Sequence, residues 1–432
     1  MTRIKLILFA LVVASLSLGF AACGSDDEES TDTGGGGETS LDLTIGQLVP
    51  LTGDLGDFGA PGQKAGELAV EEINAAIEEA GVEHTVTLVS EDSQTTEQGG
   101  ISAAQKVLAE DGTCIAGEWA SSVSIPVAES VSIREEILQI SPASTSDEIT
   151  DLDDDGLVNR TAPPDSFQGP TLADFIEEEI GGAEGKTVNI GARNDPYGTG
   201  LAETFSAAWE EKGGEIGAEV IYDPEQPTYN SEATEITSGG PDATVIIDFP
   251  ETYAKVGPAL VRTGDFDAGT SFVTDGLISG DLAADAGDEA VNGLRGTAPG
   301  SPEEGTAPEA FDQAYTAFEP KDIERFTFDA QNFDAVILCY LAAVAAGSTE
   351  GADMAEVVQE TSAAPGDQFT FEELPEAIEA LQSGDDIDYE GASGSIEMDE
   401  TGDATAGVYD TYEFKNGAPE VIGEVPVAEK VE

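Results

Sequence analysis

The stretch LTIGQLVPLTGDLGDFGAPGQKAGELAVEEINAA, residues 43–76, decides the fold. Its first eight residues form an apolar, β-favouring run that ends in Pro50. A glycine- and aspartate-rich turn follows. Then Ala65, Leu68, Ala69, Ile73 and Ala76 recur at the spacing of one helix face. A buried strand, a small-residue loop and an amphipathic helix make half of a βαβ unit.

The same alternation continues outward. Residues 84–89 read as a strand, 97–109 as a helix with Ile101, Ala104, Val107 and Leu108 inward, and 114–117 as a short strand. A helix over 122–133 and a strand over 137–140 follow. The pattern restarts near Lys186, with strands expected at 187–191, 215–222, 244–247 and 271–273. Helices are expected between them, near 197–211, 231–237 and 252–262. Strict alternation implies parallel sheets covered by helices on both faces. The chain has 432 residues, more than one core usually serves. The expectation is an α/β protein of two lobes.

The N-terminus stands apart. MTRIKLILFALVVASLSLGFAAC places Arg3 and Lys5 before an apolar run and small residues before Cys23. This reads as a signal peptide, residues 1–22, and FAAC resembles the lipobox in which a cysteine is lipidated. Phe20 stands there in place of the usual leucine. Residues 24–40, GSDDEESTDTGGGGETS, hold nothing that could anchor a core and read as a tether. The protein is therefore expected outside the cytoplasmic membrane, at the cell surface or in the periplasm. Lipid on Cys23 would be its only hold on the membrane.

Charge narrows the partners. The chain carries 88 acids against 16 cations, a formal charge of −72. Two of the cations and none of the acids lie in residues 1–22, so cleavage takes the balance to −74. No basic patch can form, which excludes nucleic acid. Such a surface suits high ionic strength, where screening relieves self-repulsion.

The single histidine, His84, and three cysteines exclude a zinc site built on those residues. No cofactor or metal is expected. DLDDDG at 151–156 copies the first half of a calcium loop, but the twelfth position is Ala162 where a bidentate glutamate is needed. It reads as a surface turn. Cys114 and Cys339 form either one disulfide or two buried thiols; an exported chain favours the bridge.

In parallel sheets ligands bind beyond the carboxyl ends of the strands. Here the strand ends deliver LTGDLGDFG, EWASS and SPASTS, rich in small residues and free backbone N–H groups. Ser121 and Ser122 are expected to open one helix and Ser144 to Ser146 another, together forming a cradle for a small anion.

Residues 45–74 resemble the opening of the branched-chain amino-acid binding proteins of ABC transporters. So do GEWASSVSIPVAE, ISPASTS, RTAPPDSFQG, NDPYGTGLAETF and YDPEQPTYNSE, in the family's order and across most of the mature chain. The resemblance implies a type I periplasmic binding protein fold: two Rossmann-like lobes joined by three hinge crossovers, closing on a ligand. It places the crossovers near 160–162, 296–299 and 389–393. Lobe one is then 41–160 plus 299–390, and lobe two 162–297 plus 393–432.

The resemblance also implies roles. Ser121 matches a serine that holds the ligand carboxylate, and Ala143 and Thr145 match residues that hold carboxylate and ammonium. Phe58 and Phe249 match lining aromatics, Tyr197 a lobe-two tyrosine near the site, and Asp275 an acid for the α-ammonium. Trp119 is a further candidate for the cleft. The implied function is capture of a small ligand, an amino acid first, and delivery to ABC permease subunits by a monomeric, non-enzymatic protein. The alternatives are a sensing receptor of the same fold, or a binder of amides, urea-like or aromatic compounds. The chain departs from the family in lacking its cysteine pair near 91–94 and at Ala120.

Overall fold

The computed structural model describes residues 40–302 and 305–428. The expected signal peptide, Cys23 and all but the last residue of the expected tether lie outside the described residues.

Five strands make the first sheet: β1 (Asp42–Val49), β2 (Thr85–Asp92), β3 (Cys114–Ala116), β4 (Leu138–Ser141) and β5 (Val158–Arg160). All pair in parallel, in the order β2-β1-β3-β4-β5. The chain then builds β6 (Thr187–Arg193), β7 (Glu215–Tyr222), β8 (Ala243–Ile247), β9 (Ser271–Val273) and β10 (Arg295–Pro299). These repeat the same parallel order, β7-β6-β8-β9-β10. A small sheet of β11 (Asp367–Phe369), β12 (Ile387–Gly391) and β13 (Gly394–Ser395) follows. The antiparallel hairpin β14 (Ala406–Lys415) and β15 (Ala418–Ala428) extends the second sheet beyond β10.

The duplicated strand order has a functional consequence. It reverses direction between β1 and β3 in one lobe, and between β6 and β8 in the other. At such a point adjacent loops leave toward opposite faces and open a crevice at the carboxyl ends. Two crevices facing each other make a cleft.

Buried polar contacts pin the places where the chain passes between sheets. Arg160, fully buried, binds Asp403 Oδ1 at 2.6 Å, the Ser146 carbonyl at 2.9 Å and Thr150 Oγ1 at 2.6 Å. Gln331 donates to the Gly300 carbonyl at 3.1 Å and accepts from Thr161 Oγ1 at 2.9 Å through its own carbonyl. Asp334 accepts four hydrogen bonds, from Tyr389 Oη, the Ala392 and Ser393 amides and Ser393 Oγ, at 2.6–2.9 Å. A buried carboxylate with four donors is compensated for its desolvation.

Two local expectations are corrected. Ser144 to Ser146 do not open a helix; bends and turns follow β4. The segment after them is dense in aspartates, whose side chains compete with helical backbone bonding. Asp154, for one, accepts from the amides of Gly156 at 3.2 Å and Val158 at 2.7 Å. The helix expected over 122–133 is also not uniform. It runs Ser121–Val127 and then widens into a π segment, Ala128–Ser132. Pro126, within the first part, has no N–H to give the regular ladder.

Cys114 and Cys339 are joined, with Cα atoms 5.9 Å apart, and the bridge ties β3 to the helix Asp329–Ala346. It closes a loop of 225 residues. The chain-entropy view gives such a loop roughly 5 kcal/mol, an upper figure. Cys114→Ser/Cys339→Ser is expected to lower the urea midpoint and to steepen the slope, because the unfolded chain without the bridge exposes more surface, read by circular dichroism.

Candidate functional site

The loops at both reversal points converge on one cavity. From the first lobe come Leu55 and Phe58 after β1, Trp119 and Ser121 after β3, Ala143 after β4, and Phe328 at the start of the helix Asp329–Ala346. From the second come Tyr197 after β6, Phe249 after β8, and Asp275 with Gly276 after β9. Thus seven of the ten residues expected to bind ligand line one cavity: Phe58, Trp119, Ser121, Ala143, Tyr197, Phe249 and Asp275. Ser122, Ser144 and Thr145 lie outside that lining.

Small residues let the large ones approach. A Cβ on Gly62 would meet the Trp119 ring at 2.3 Å, so only glycine lets the indole lie on the first helix. A Cβ on Gly276 would meet the Asp248 carbonyl at 2.6 Å and the Phe249 ring at 2.8 Å. Phe249 can then stack on Tyr197, with centroids 5.2 Å apart and planes 16° apart. Phe58 packs edge-on to Phe326 and near Phe328. The lobes are closed on these rings, and about 10 Å³ is left between them. That is room for about one water. A ligand the size of an amino acid enters only when the lobes part or the rings swing.

Each polar wall has a defined state. Ser121 Oγ accepts from the Ser146 amide at 3.2 Å, which leaves its proton for another acceptor. Ser144 is turned inward: its hydroxyl pairs with Ser124 Oγ at 2.6 Å and donates to the Glu118 carbonyl at 3.1 Å. Ser141 Oγ donates to the same carbonyl at 2.5 Å. The serines of SPASTS therefore brace the loop more than they face the ligand.

Across the cavity, Tyr197 Oη donates to Asp275 Oδ1 at 2.8 Å and lies 2.7 Å from Thr274 Oγ1. It also accepts from the Gly276 amide at 3.2 Å. Asp275 is thereby fixed in orientation at the end of β9. A second buried acid, Asp165, sits where the helix Asp165–Ile180 begins. Its carboxylate lies beside the Thr145 hydroxyl, in a contact that falls short of full hydrogen-bond geometry. Burial, helped by the negative charge of Asp275, pushes Asp165 well above the usual carboxylate range. Sequence reasoning missed Asp165, although it lies in the quoted RTAPPDSFQG. The available signal was its place at a helix start directly after a crossover. Leu55 and Phe328 were missed as well. Phe328 follows no strand, so a search of strand ends could not reach it.

The geometry is that of a two-lobed binding cleft, and the comparisons agree. The sequence model for periplasmic binding proteins matches residues 42–416. The chain belongs to the periplasmic binding protein family. A Leu/Ile/Val-binding protein homologue from Brucella abortus is 28% identical over 330 residues, covering 75% of this chain and 84% of that one. A substrate-binding protein of a chemotactic signal transduction system, BasB of Halobacterium salinarum, is 24% identical over 363 residues, covering 82% and 83%. The crystal structure of a leucine-binding protein, LivK, from Thermotoga maritima superposes with a TM-score of 0.70 at 25% identity. It spans 89% of this chain and 98% of its own.

Elsewhere on this binding protein, Asp388, Glu390 and Glu397 bring carboxylate oxygens within 4.8 Å of one another. Gln368 Nε2 donates to the first two. The cluster is remote in sequence from the residues of the cleft.

Burial sets the site's response to pH. It raises Asp275 to about 6 and Asp248, behind Phe249, to about 7. It also raises Glu118 to about 8 and Asp334 to about 6. Each folded value lies above the unfolded one. Their contribution to stability is therefore full below pH 4 and is lost as pH rises through about 6 to 8. Ligand binding through ionised Asp275 runs the other way. Affinity for an ammonium group is expected to weaken as pH falls through about 6, while the ligand-free melting temperature rises over the same descent. Calorimetric titration and thermal scans from pH 8 to 5 check both signs together.

Proposed function

We propose that this protein is an extracytoplasmic solute-binding protein that captures an amino acid between its lobes and presents it to an ABC permease. The observation that carries the reading is the polarity of the cavity. A hydroxyl donor, Ser121, lies on the lobe-one wall, and a carboxylate oriented by a tyrosine, Asp275, lies on the lobe-two wall. A zwitterion matches that pair, carboxylate to serine and ammonium to aspartate. The apolar remainder of the ligand would lie among Phe58, Trp119, Phe249 and Phe328.

Closure is the mechanism. Contacts to both walls stabilise the shut form, and the permease reads that form. Each charge-assisted hydrogen bond contributes roughly 1.5–3 kcal/mol, so a few of them suffice for micromolar affinity, about −8.2 kcal/mol. The lobes are taken as 41–160 plus 299–390 and 162–297 plus 393–432. The chain is taken to act as a monomer held to the membrane by lipid on Cys23. The likeness to BasB supports a second reading, in which the same closure is read by a sensor instead of a permease.

The test is calorimetric titration with a panel of amino acids, after unfolding and refolding to strip co-purified ligand. Micromolar binding of one or a few is expected, and Asp275→Asn and Ser121→Ala should each weaken it by about tenfold to a hundredfold. A folded protein that binds none of the panel would move the ligand outside the amino acids.

A further inference from the structure

The loop between β1 and the helix Gly59–Ala80 does more than line the cavity. Four of its residues alternate in purpose. Leu55 and Phe58 face the ligand cavity. Asp54 and Asp57 reach the other lobe: Asp54 Oδ2 lies 3.2 Å from Arg193 NH2, and Asp57 Oδ2 accepts from Ser279 Oγ. On its own lobe the loop is fixed to the end of β2. Thr52 bonds Asp92 through its amide at 3.2 Å and its hydroxyl at 2.7 Å, and the Leu55 amide donates to Thr95 Oγ1 at 3.2 Å.

Arg193 is prepared to receive it. This cation at the end of β6 is 4% exposed. It is held by Asp195 at 2.5 Å and faces Asp248 at 3.7 Å. Its guanidinium lies 3.7 Å above the Phe249 ring, whose neighbour in the stack is Tyr197, the donor to Asp275. The interlobe ion pair and the ammonium site are thus two ends of one stack. In a chain of charge −72, two acidic lobes repel as they close, and a buried arginine at the mouth offsets that repulsion locally.

We infer that residues 52–58 are a strap that clasps lobe two through Asp54 on Arg193 and Asp57 on Ser279. Asp54, Asp57 and Arg193 are then positioning residues for capture: they touch no ligand but hold the closed form. The clasp should slow ligand escape and leave entry unchanged, because it forms only when the lobes meet. It rests on closure of two lobes, not on which ligand they hold.

The test uses ligand-stripped mature protein carrying Cys23→Ser, with spin labels on cysteines at Glu97 and Glu225, one on each lobe. Pulsed dipolar spectroscopy reads the short, closed distance. Asp54→Asn/Asp57→Asn is expected to cut the closed fraction by about threefold to tenfold, the range for a partly exposed pair and one hydrogen bond. The exposed control Asp265→Asn should leave it unchanged. L-leucine dissociation should quicken by a similar factor, and Arg193→Lys, which keeps the charge but loses the planar stack, should fall between parent and double variant. Equal closed fractions in parent and double variant, or an equal fall in the control, would overturn the inference. A closed fraction that falls as expected in a protein that binds no leucine would uphold the clasp and exclude leucine as the ligand, leaving the amino-acid reading to the full panel.

Discussion

Buried negative charge at the floor of the cleft is the constraint around which the site is arranged. Asp275 and Asp165 are fully inside the closed protein. A carboxylate in such a place either takes a proton or takes a cation. For Asp275 the cost of burial is offset in part by donors: Tyr197 fixes its direction, and Gln168 and the backbone amides of Asp275 and Gly276 act with it. Under the proposed function, the ammonium of the ligand would supply the remaining counter-charge.

The fold supplies the place for that charge. Both lobes use one parallel strand order, and each opens a crevice where the order reverses. Most cavity residues come from the loops at those two points; Ala143 is added after β4, Asp275 and Gly276 after β9, and Phe328 from a helix start. Three buried polar nodes, at Arg160, Gln331 and Asp334, hold the segments that pass between the sheets. Arg160 also grips the carbonyls of Ser144 and Ser146, so the loop that carries Ala143 and Thr145 is braced by the residue that ends β5, from which the chain leaves for the second sheet.

Much of this was readable in the chain. Strand and helix alternation is written in apolar periodicity, which depends only on neighbours a few residues away. It gave both lobes, and the strand ends pointed to Ser121; Phe58, Ala143, Tyr197, Phe249 and Asp275 came from the family resemblance, with Trp119 added beside them. Local pattern could not give what depends on distant partners. The role of Ser144 was misplaced because its partners, Ser124 and the Glu118 carbonyl, are some twenty residues away. Asp165 was passed over because 88 acids make any one unremarkable until its burial is known. The hairpin β14–β15 was not anticipated, since its pairing with β10 joins segments more than a hundred residues apart.

The claim that matters most is that Asp275 is the ammonium's counter-charge, and its ionisation can be watched directly. Carbon-13 carboxyl resonances of the aspartates, assigned for Asp275 by Asp275→Asn, would be followed through a pH titration with and without the tightest-binding amino acid. The account predicts a midpoint near 6 for the ligand-free protein, moving to lower pH when the ammonium is bound beside it. A midpoint that stays in place at saturating ligand would contradict it.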